Sequence, residues 1–305
     1  MTPRPNKRLG QNFLVNRGII EKIIAAAALE KTDTVLEVGP GHGALTLELA
    51  QKAERVIAIE KDRGLAEILR AKLAEKKIAN VEIIEGDILV FLSTRYSLLP
   101  TRYCVVANIP YYLTSALIRQ LLELAHPPER IILTIQKEVA QRIAAHGGKE
   151  SILSLAVKFY ADAQILFYVS RGSFSPSPNV DSAVIEIIPR KEKQAVAPEV
   201  FFTVVKAGFS APRKKLLGNL AKGLSIEKEK IAAMFARLGV DADVRSEQLS
   251  LAQWLALAPA LMYGREGLPR RSTSAAAKRQ KDVVSRSPLS GLARSSKKDI
   301  LKANN

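Results

Sequence analysis

Between Thr34 and Ala50 the chain runs from Thr34-Val35-Leu36-Glu37-Val38, a short apolar segment of strand character, through Gly39-Pro40-Gly41-His42-Gly43. It then enters Ala44-Leu45-Thr46-Leu47-Glu48-Leu49-Ala50, whose apolar residues recur at helical spacing. Few architectures accept that order. A buried strand that turns through a glycine loop directly into a helix is the first βα unit of a doubly wound, mostly parallel sheet. The glycines permit positive φ and let a ligand lie against bare backbone. Gly39, Gly41 and Ala44 also satisfy a loose dinucleotide pattern, so this segment alone fits a nicotinamide or flavin enzyme as well.

The next strand ends narrow the choice. Arg55-Val56-Ile57-Ala58-Ile59 closes in Glu60, twenty-one residues after Gly39, where a carboxylate can accept from both hydroxyls of a ribose. Val81-Glu82-Ile83-Ile84-Glu85-Gly86 leads to Asp87, an acceptor suited to an adenine amino group. A fourth apolar run, Tyr103-Cys104-Val105-Val106-Ala107, ends in Asn108-Ile109-Pro110-Tyr111-Tyr112. Pro110 removes a donor and restricts Ile109 to extended conformations, so neighbouring carbonyls can face a ligand. One amide, two carbonyls and a flat ring can hold an exocyclic amino group during methyl transfer. Together the four strand ends favour S-adenosylmethionine as cofactor, with Gly39, Glu60, Asp87 and Asn108 as its candidate ligands.

The remaining pattern completes a sheet. Helices are expected from about Arg17 to Ala28, Leu113 to Ala125, Lys137 to Ala145 and Ser151 to Tyr160. Strands are expected at Arg130 to Ile135, Gln164 to Val169 and Ala183 to Ile188, with a proline-rich loop around Phe174 between the last two. Strands alternate with helices until that final pair, which predicts a Rossmann-like α/β domain with a seven-stranded sheet and an antiparallel edge. Pro189-Arg190-Lys191-Glu192-Lys193 reads as a linker, and Glu199 to Tyr263 as helices broken at Gly208, Gly218, Gly223 and Gly239. The expected organisation is therefore a methyltransferase domain over 1–190, a small all-helical domain over 191–264 and a disordered basic tail over 265–305.

Several of these segments carry a further resemblance. Leu9-Gly10-Gln11-Asn12-Phe13-Leu14, Glu37-Val38-Gly39-Pro40-Gly41, Glu85-Gly86-Asp87 and Asn108-Ile109-Pro110-Tyr111 stand in order. Gln136-Lys137-Glu138-Val139-Ala140 and Phe174-Ser175-Pro176-Ser177-Pro178-Asn179-Val180-Asp181-Ser182-Ala183 follow at compatible spacings. Over about residues 7 to 264 the chain resembles the ribosomal RNA adenine dimethyltransferases. Val180 to Ala183 and Phe209-Ser210-Ala211-Pro212-Arg213-Lys214-Lys215-Leu216 are more similar to the branch that acts on the small subunit than to the Erm branch. Two positions depart from the family pattern: His42 stands where leucine is usual, and Tyr112 where the small-subunit branch often has asparagine.

The resemblance implies methylation of two adjacent adenines in a hairpin loop near the 3′ end of 16S rRNA, giving dimethyladenosines during small-subunit biogenesis. It adds Asn12 and Leu14 as cofactor contacts and places Asn108 between cofactor and target base. It also makes Tyr111 and Phe174 the surfaces between which an extruded adenine is held. The adenine nitrogen is a poor nucleophile because its lone pair is delocalised into the ring. Acceptors at Asn108 Oδ1 and the Ile109 or Pro110 carbonyl would hold its hydrogens and turn the lone pair toward the incoming methyl group. Such positioning requires no metal and no covalent enzyme intermediate.

Charge agrees with a polyanionic partner: 46 Lys and Arg against 30 Asp and Glu leave a net charge of +16. Half of it, +8, falls in residues 265–305, which hold eleven basic and three acidic residues. Arg4, Lys7, Arg8, Arg213, Lys214 and Lys215 are further candidate phosphate contacts. The single Cys104 fits a reducing cytoplasm. Ile19 to Leu29 is too short and too interrupted to span a membrane, and Met1 to Arg8 does not lead into a signal-like apolar core. A free monomer is expected. Two other readings stand beside the small-subunit enzyme: an Erm-like methylase of 23S rRNA, and a non-catalytic ribosome-assembly factor that kept the fold.

Overall fold

The apolar runs of the first 190 residues build one mixed sheet, and their alternation decides which helix covers which face. The structure, a computed structural model, describes residues 10–144, 149–211 and 213–264. Its elements are β1 (Phe13–Leu14), α1 (Arg17–Ala27), β2 (Thr34–Val38), α2 (Thr46–Lys52), β3 (Arg55–Glu60), α3 (Arg63–Glu75), β4 (Val81–Glu85) and α4 (Ile88–Thr94). Then come β5 (Cys104–Asn108), α5 (Thr114–Glu123), β6 (Arg130–Gln136), α6 (Lys137–Ala144), α7 (Ile152–Tyr160), β7 (Ala161–Val169), β8 (Phe174–Ser175) and β9 (Ser182–Pro189). Helices α8 (Pro198–Gly208), α9 (Leu216–Leu224), α10 (Lys228–Leu238) and α11 (Leu251–Tyr263) follow.

The main sheet has seven strands in the order β4-β3-β2-β5-β6-β9-β7. β4, β3, β2, β5 and β6 are parallel, and β9 is antiparallel to both of its neighbours. The last two strands thus form the expected antiparallel edge, with the reversed strand β9 one place in and β7 at the border. The crossover through α6 and α7 lays β7 at the border parallel to β6, and β9 returns into the gap between them. Because both faces are covered, the central strands are apolar throughout. Leu36, Val105 and Leu133 pack on one face with Leu117, Ile118 and Leu121 of α5. Val35, Val106 and Ile132 point the other way, to Ile23 and Ile24 of α1 and Leu49 of α2.

A second sheet of two strands joins β1 to β8, with Phe13 opposite Ser175 and Leu14 opposite Phe174. It straps the segment before α1 to the Phe174 loop. The helical part has its own core, centred on Phe201, Leu220, Phe235 and Trp254, and Leu155, Ala156 and Phe159 of α7 belong to it. Gly208 closes α8, and Gly239 ends α10 in the left-handed conformation, as expected of helix-breaking glycines. Gly218 and Gly223 do not break a helix; both lie inside α9. A Cβ on Gly223 would sit 2.7 Å from Ala207 Cβ, so the bare position lets α9 approach α8 closely. In the segment read as a linker, Arg190 donates its N–H to Tyr160 O and its guanidinium to Lys158 O. The expected tail over 265–305, the basic residues before Gly10 and Ala145 all lie outside the described residues.

Candidate active site

Strand order reverses between β2 and β5, since the chain proceeds outward from that point in both directions. A crevice opens there beyond the carboxyl ends of the strands, where open α/β sheets bind ligands. It is walled by Asn12, Gly39, Glu60, Asp87, Asn108, Tyr111 and Phe174, with Gly41 and Lys61 among the residues between them. Seven of the eight residues expected at the site thus meet in one cavity.

The exception is Leu14, expected to contact a cofactor. Its side chain is buried in the core with Ile20, Ile23 and Phe174, because β1 pairs with β8 and turns it inward, away from the cavity. Phe174 belongs to both places: 5 % exposed, it shares the core with Leu14 and still forms part of the cavity wall.

The glycine loop and Glu60 are built as a unit. Gly39 (φ +65°) donates its N–H to Ile59 O at 2.9 Å, which seats the loop at the end of β3. Gly41 (φ +57°) donates to Glu60 Oε2 at 3.0 Å, while Glu60 Oε1 accepts from Asp62 N–H at 2.8 Å. A Cβ on Gly41 would stand 2.9 Å from the Phe13 ring. Glu60 is buried, and that desolvation raises its carboxyl above the usual range, against the lowering effect of backbone bonds from Asp62, Gly41 and Lys61. Beneath the loop lies Glu37, fully buried, with an Oε2 that has no hydrogen-bond partner among the described residues; burial pushes its carboxyl up to about 8.

Asp87 caps α4, accepting from Leu89 N–H at 2.9 Å through Oδ1, and pairs through Oδ2 with Lys61 Nζ at 2.8 Å. The Lys61 ammonium holds the Asp87 carboxyl below the ordinary carboxylate range. Asn108 donates its Nδ2 to Asn12 O at 3.0 Å. That bond fixes which way the amide faces and leaves Oδ1 as its acceptor. Tyr111 is held by a 2.8 Å hydrogen bond between its hydroxyl and Ser182 Oγ, and burial raises its phenol. The N-terminal segment closes over these groups, with Gln11 Nε2 donating to Asp62 Oδ2 at 3.2 Å. Tyr112 stands at the rim, 60 % exposed, against Gly10.

Sequence reasoning did not assign Lys61, Gln11, Phe13 or Ser182. Lys61 was within reach of it: β3 and β4 are parallel with Glu60 opposite Glu85, so the residues just past each end face one another. Gln11, Phe13 and Ser182 act through long-range pairings that leave no local pattern. Among the described residues no group of His, Cys, Asp and Glu is arranged to hold a metal ion, and no helix is long and apolar enough to cross a membrane.

Residues 3–262 match the family model described as ribosomal RNA adenine dimethylase. A ribosomal RNA small subunit methyltransferase A from Dehalococcoides mccartyi is 42 % identical over 255 residues, 83 % of this chain and 87 % of its own length. One of the same description from Geobacillus thermodenitrificans is 38 % identical over 266 residues, 84 % of this chain and 90 % of its own. Among solved structures, a dimethyladenosine transferase from Plasmodium falciparum superposes with a TM-score of 0.67 at 28 % identity, covering 80 % of this chain and 95 % of that one. The 23S rRNA methyltransferase ErmE superposes with a TM-score of 0.65 at 30 % identity, covering 82 % and 99 %.

Proposed function

The chain belongs to the ribosomal RNA adenine dimethylase family, and we propose that it acts on the small subunit, methylating two adjacent adenines in a hairpin loop near the 3′ end of 16S rRNA. It is an S-adenosylmethionine-dependent enzyme that dimethylates ribosomal RNA adenine. The small-subunit assignment rests on the relatives of that description, which align over most of both chains. Its partner is then 16S rRNA in the small subunit or its precursor, met in the cytoplasm by a free monomer. Residues 1–190 act as the catalytic domain and 191–264 as a helical domain that contacts RNA, with Arg213 and Lys214 exposed before α9.

The cavity suits that cofactor. The space above Gly41 is one that a Cβ could not share with Phe13, Glu60 offers a buried carboxylate to ribose hydroxyls, and Asp87 an acceptor to an adenine amino group. When bound, S-adenosylmethionine supplies a methyl group activated by its sulfonium.

The rest is the work of the chain's own residues. Asn108 Oδ1 accepts one hydrogen of the target amino group. The Pro110 carbonyl already receives Leu113 N–H at 3.0 Å, which makes the Ile109 carbonyl the better acceptor for the second hydrogen. Both contacts draw the lone pair out of conjugation and aim it. Tyr111, oriented by Ser182, stacks on one face of the base, and the exposed margin of Phe174 closes the other; such stacking contributes roughly 1–3 kcal/mol against the cost of extrusion. No side chain here is a strong base. An amide does not take a proton, and burial keeps the Tyr111 phenol protonated. The proton leaves to solvent after transfer, when the nitrogen is cationic and acidic.

The single observation that carries this reading is the bond from Asn108 Nδ2 to Asn12 O, which commits the donor to the protein and reserves the acceptor for the substrate. Asn108→Ala is expected to abolish methyl transfer from labelled cofactor to unmethylated small subunits while RNA binding stays near that of the parent. Substantial methylation by that variant would remove Asn108 from the mechanism. In the parent enzyme, dimethyladenosine confined to 16S rRNA supports the small-subunit assignment, and label in 23S rRNA overturns it.

A further inference from the structure

The segment Gln136-Lys137-Glu138-Val139-Ala140 contributes nothing to the chemistry above, yet it opens a second depression at the same edge of the sheet. Gln136, Lys137, Gln141, Arg171, Asn179 and Asp181 border it. Asp181 ties its floor together: Lys137 N–H donates to Asp181 O at 3.0 Å, and Arg171 N–H to Asp181 Oδ1 at 3.0 Å. Beside it stands Tyr168, 53 % exposed on the border strand β7. Lys137 Nζ lies 5.2 Å from the centre of that ring, and Gln141 Nε2 donates to its hydroxyl at 3.5 Å.

The depression adjoins the active site. Ser182, which holds Tyr111, follows Asp181 in the chain and is the register partner of Gln136. Asn108 is opposite Thr134, so Gln136 lies one strand over and two residues further on, roughly 8 Å away by ordinary sheet spacing. The near wall of the depression is thus about one nucleotide step from the first cavity, whereas Tyr168, two strands beyond β6, stands roughly 14 Å from Asn108, so the adjacent base reaches it with the backbone between the two nucleotides extended.

The lining chemistry selects a base over a phosphate. Lys137 and Arg171 are balanced by Glu138 and Asp181, so the site has no net charge with which to favour an anion. It offers instead three side-chain amides, at Gln136, Gln141 and Asn179, each with a donor and an acceptor in the fixed spacing that matches base edges. An exposed aromatic ring beside such groups is the usual means by which proteins hold unstacked RNA bases. When the target adenine leaves the stack, its neighbour loses a face as well and gains from a substitute.

We propose that this depression receives the base adjacent to the target adenine, stacked on Tyr168 and read by the amides around Lys137. The inference rests on the RNA-methylating function above and adds a site that holds the neighbouring nucleotide in register. Tyr168 touches neither cofactor nor target base; it positions the RNA.

Methyl transfer by the parent, Tyr168→Ala, Tyr168→Phe and Gln141→Ala tests it, on small-subunit particles and naked RNA that carry either the intact sequence or an abasic site beside the target. On intact RNA, Tyr168→Ala is expected to lower kcat/KM about 5- to 10-fold, mainly through KM, with cofactor affinity unchanged and Tyr168→Phe close to the parent. The parent should lose a similar factor on abasic RNA, and Tyr168→Ala should lose little more there, because both changes remove one contact. Losses that multiply on abasic RNA overturn the proposal, as does a Tyr168→Phe variant as impaired as Tyr168→Ala. A defect confined to protein-containing particles and absent on naked RNA assigns the surface to a protein and overturns it too. Multiplying losses with an active parent defeat this inference alone, whereas a parent that transfers no methyl group to RNA defeats the function on which it rests.

Discussion

Asp87 is a helix cap and, in the proposed function, the acceptor for the cofactor's adenine. Oδ1 caps α4 and Oδ2 meets Lys61, both at the cavity wall. The Lys61–Asp87 pair is too exposed to stabilise the fold appreciably, so the cap is the structural part of the side chain. Asp87→Ala should cost about 1 kcal/mol of stability from the lost cap and weaken cofactor binding by roughly 10- to 100-fold through loss of a charged acceptor. Asp87→Ser should recover most of the stability, since serine also caps, and little of the affinity; calorimetric titration beside thermal unfolding measures both. Equal recovery of the two would mean that the carboxylate does not touch the cofactor. Glu37 makes a pH prediction. Its buried carboxyl titrates near 8 in the folded protein and near the ordinary 4.5 when unfolded. The folded state therefore retains the proton longer, and the contribution of Glu37 is full below about pH 4.5 and declines as pH rises to about 8. The slope from this group is about 1.4 kcal/mol per pH unit at most. Glu37→Gln should flatten the fall in unfolding free energy between pH 5 and 8; an unchanged slope would show that Glu37 ionises freely in the fold.

At the scale of elements, the same residue type was readable in one place and misleading in another. The glycines of the Gly39–Gly43 loop sit between an apolar strand and a helical period, so their neighbours announce a turn, and Gly39 and Gly41 do take positive φ. Gly218 and Gly223 also interrupt an apolar pattern, but α9 runs through both. What Gly223 does depends on α8, which no local pattern records. The two positions should respond oppositely to alanine. At Gly218 a Cβ meets open space, so Gly218→Ala should stabilise by up to about 1 kcal/mol from helix propensity alone. At Gly223 the same gain is set against a Cβ 2.7 Å from Ala207 Cβ and 3.1 Å from its backbone Cα, which cannot swing aside. Overpacking of that kind costs about 1–3 kcal/mol, so Gly223→Ala should destabilise on balance. Denaturant unfolding of the pair decides it, and a stabilised Gly223→Ala would mean that α8 and α9 part easily. The strands were legible because burial on both faces writes a continuous apolar run. The two-residue strands β1 and β8 are too short to show a period, and with them the inward turn of Leu14 was hidden.

For the whole molecule, the polar ends of β2, β3, β5 and the turn after β4 converge because the strand order reverses between β2 and β5, and the residues at those strand ends were the part of the candidate site legible from the sequence pattern. Charge is the other property readable at this scale. Of the net +16, half belongs to residues 265–305, beyond the last described helix. A charge of that size is proposed to act on encounter with RNA. Each cation that neutralises a phosphate of single-stranded RNA displaces a counterion and adds about 0.7 to the slope of log affinity against log salt. A chain ending at Gly264 should therefore keep its unfolding temperature and its affinity for S-adenosylmethionine, and should bind RNA with a slope shallower by several units if most of the eleven basic residues engage. The two affinities should differ most at low salt and converge as salt rises. The turnover of bound substrate should not change, because Asn108 and its carbonyl partners are untouched. Titrating both chains with 16S rRNA fragments over a range of salt concentrations checks this, and parallel lines would show that the +8 segment has no contact with the RNA at all.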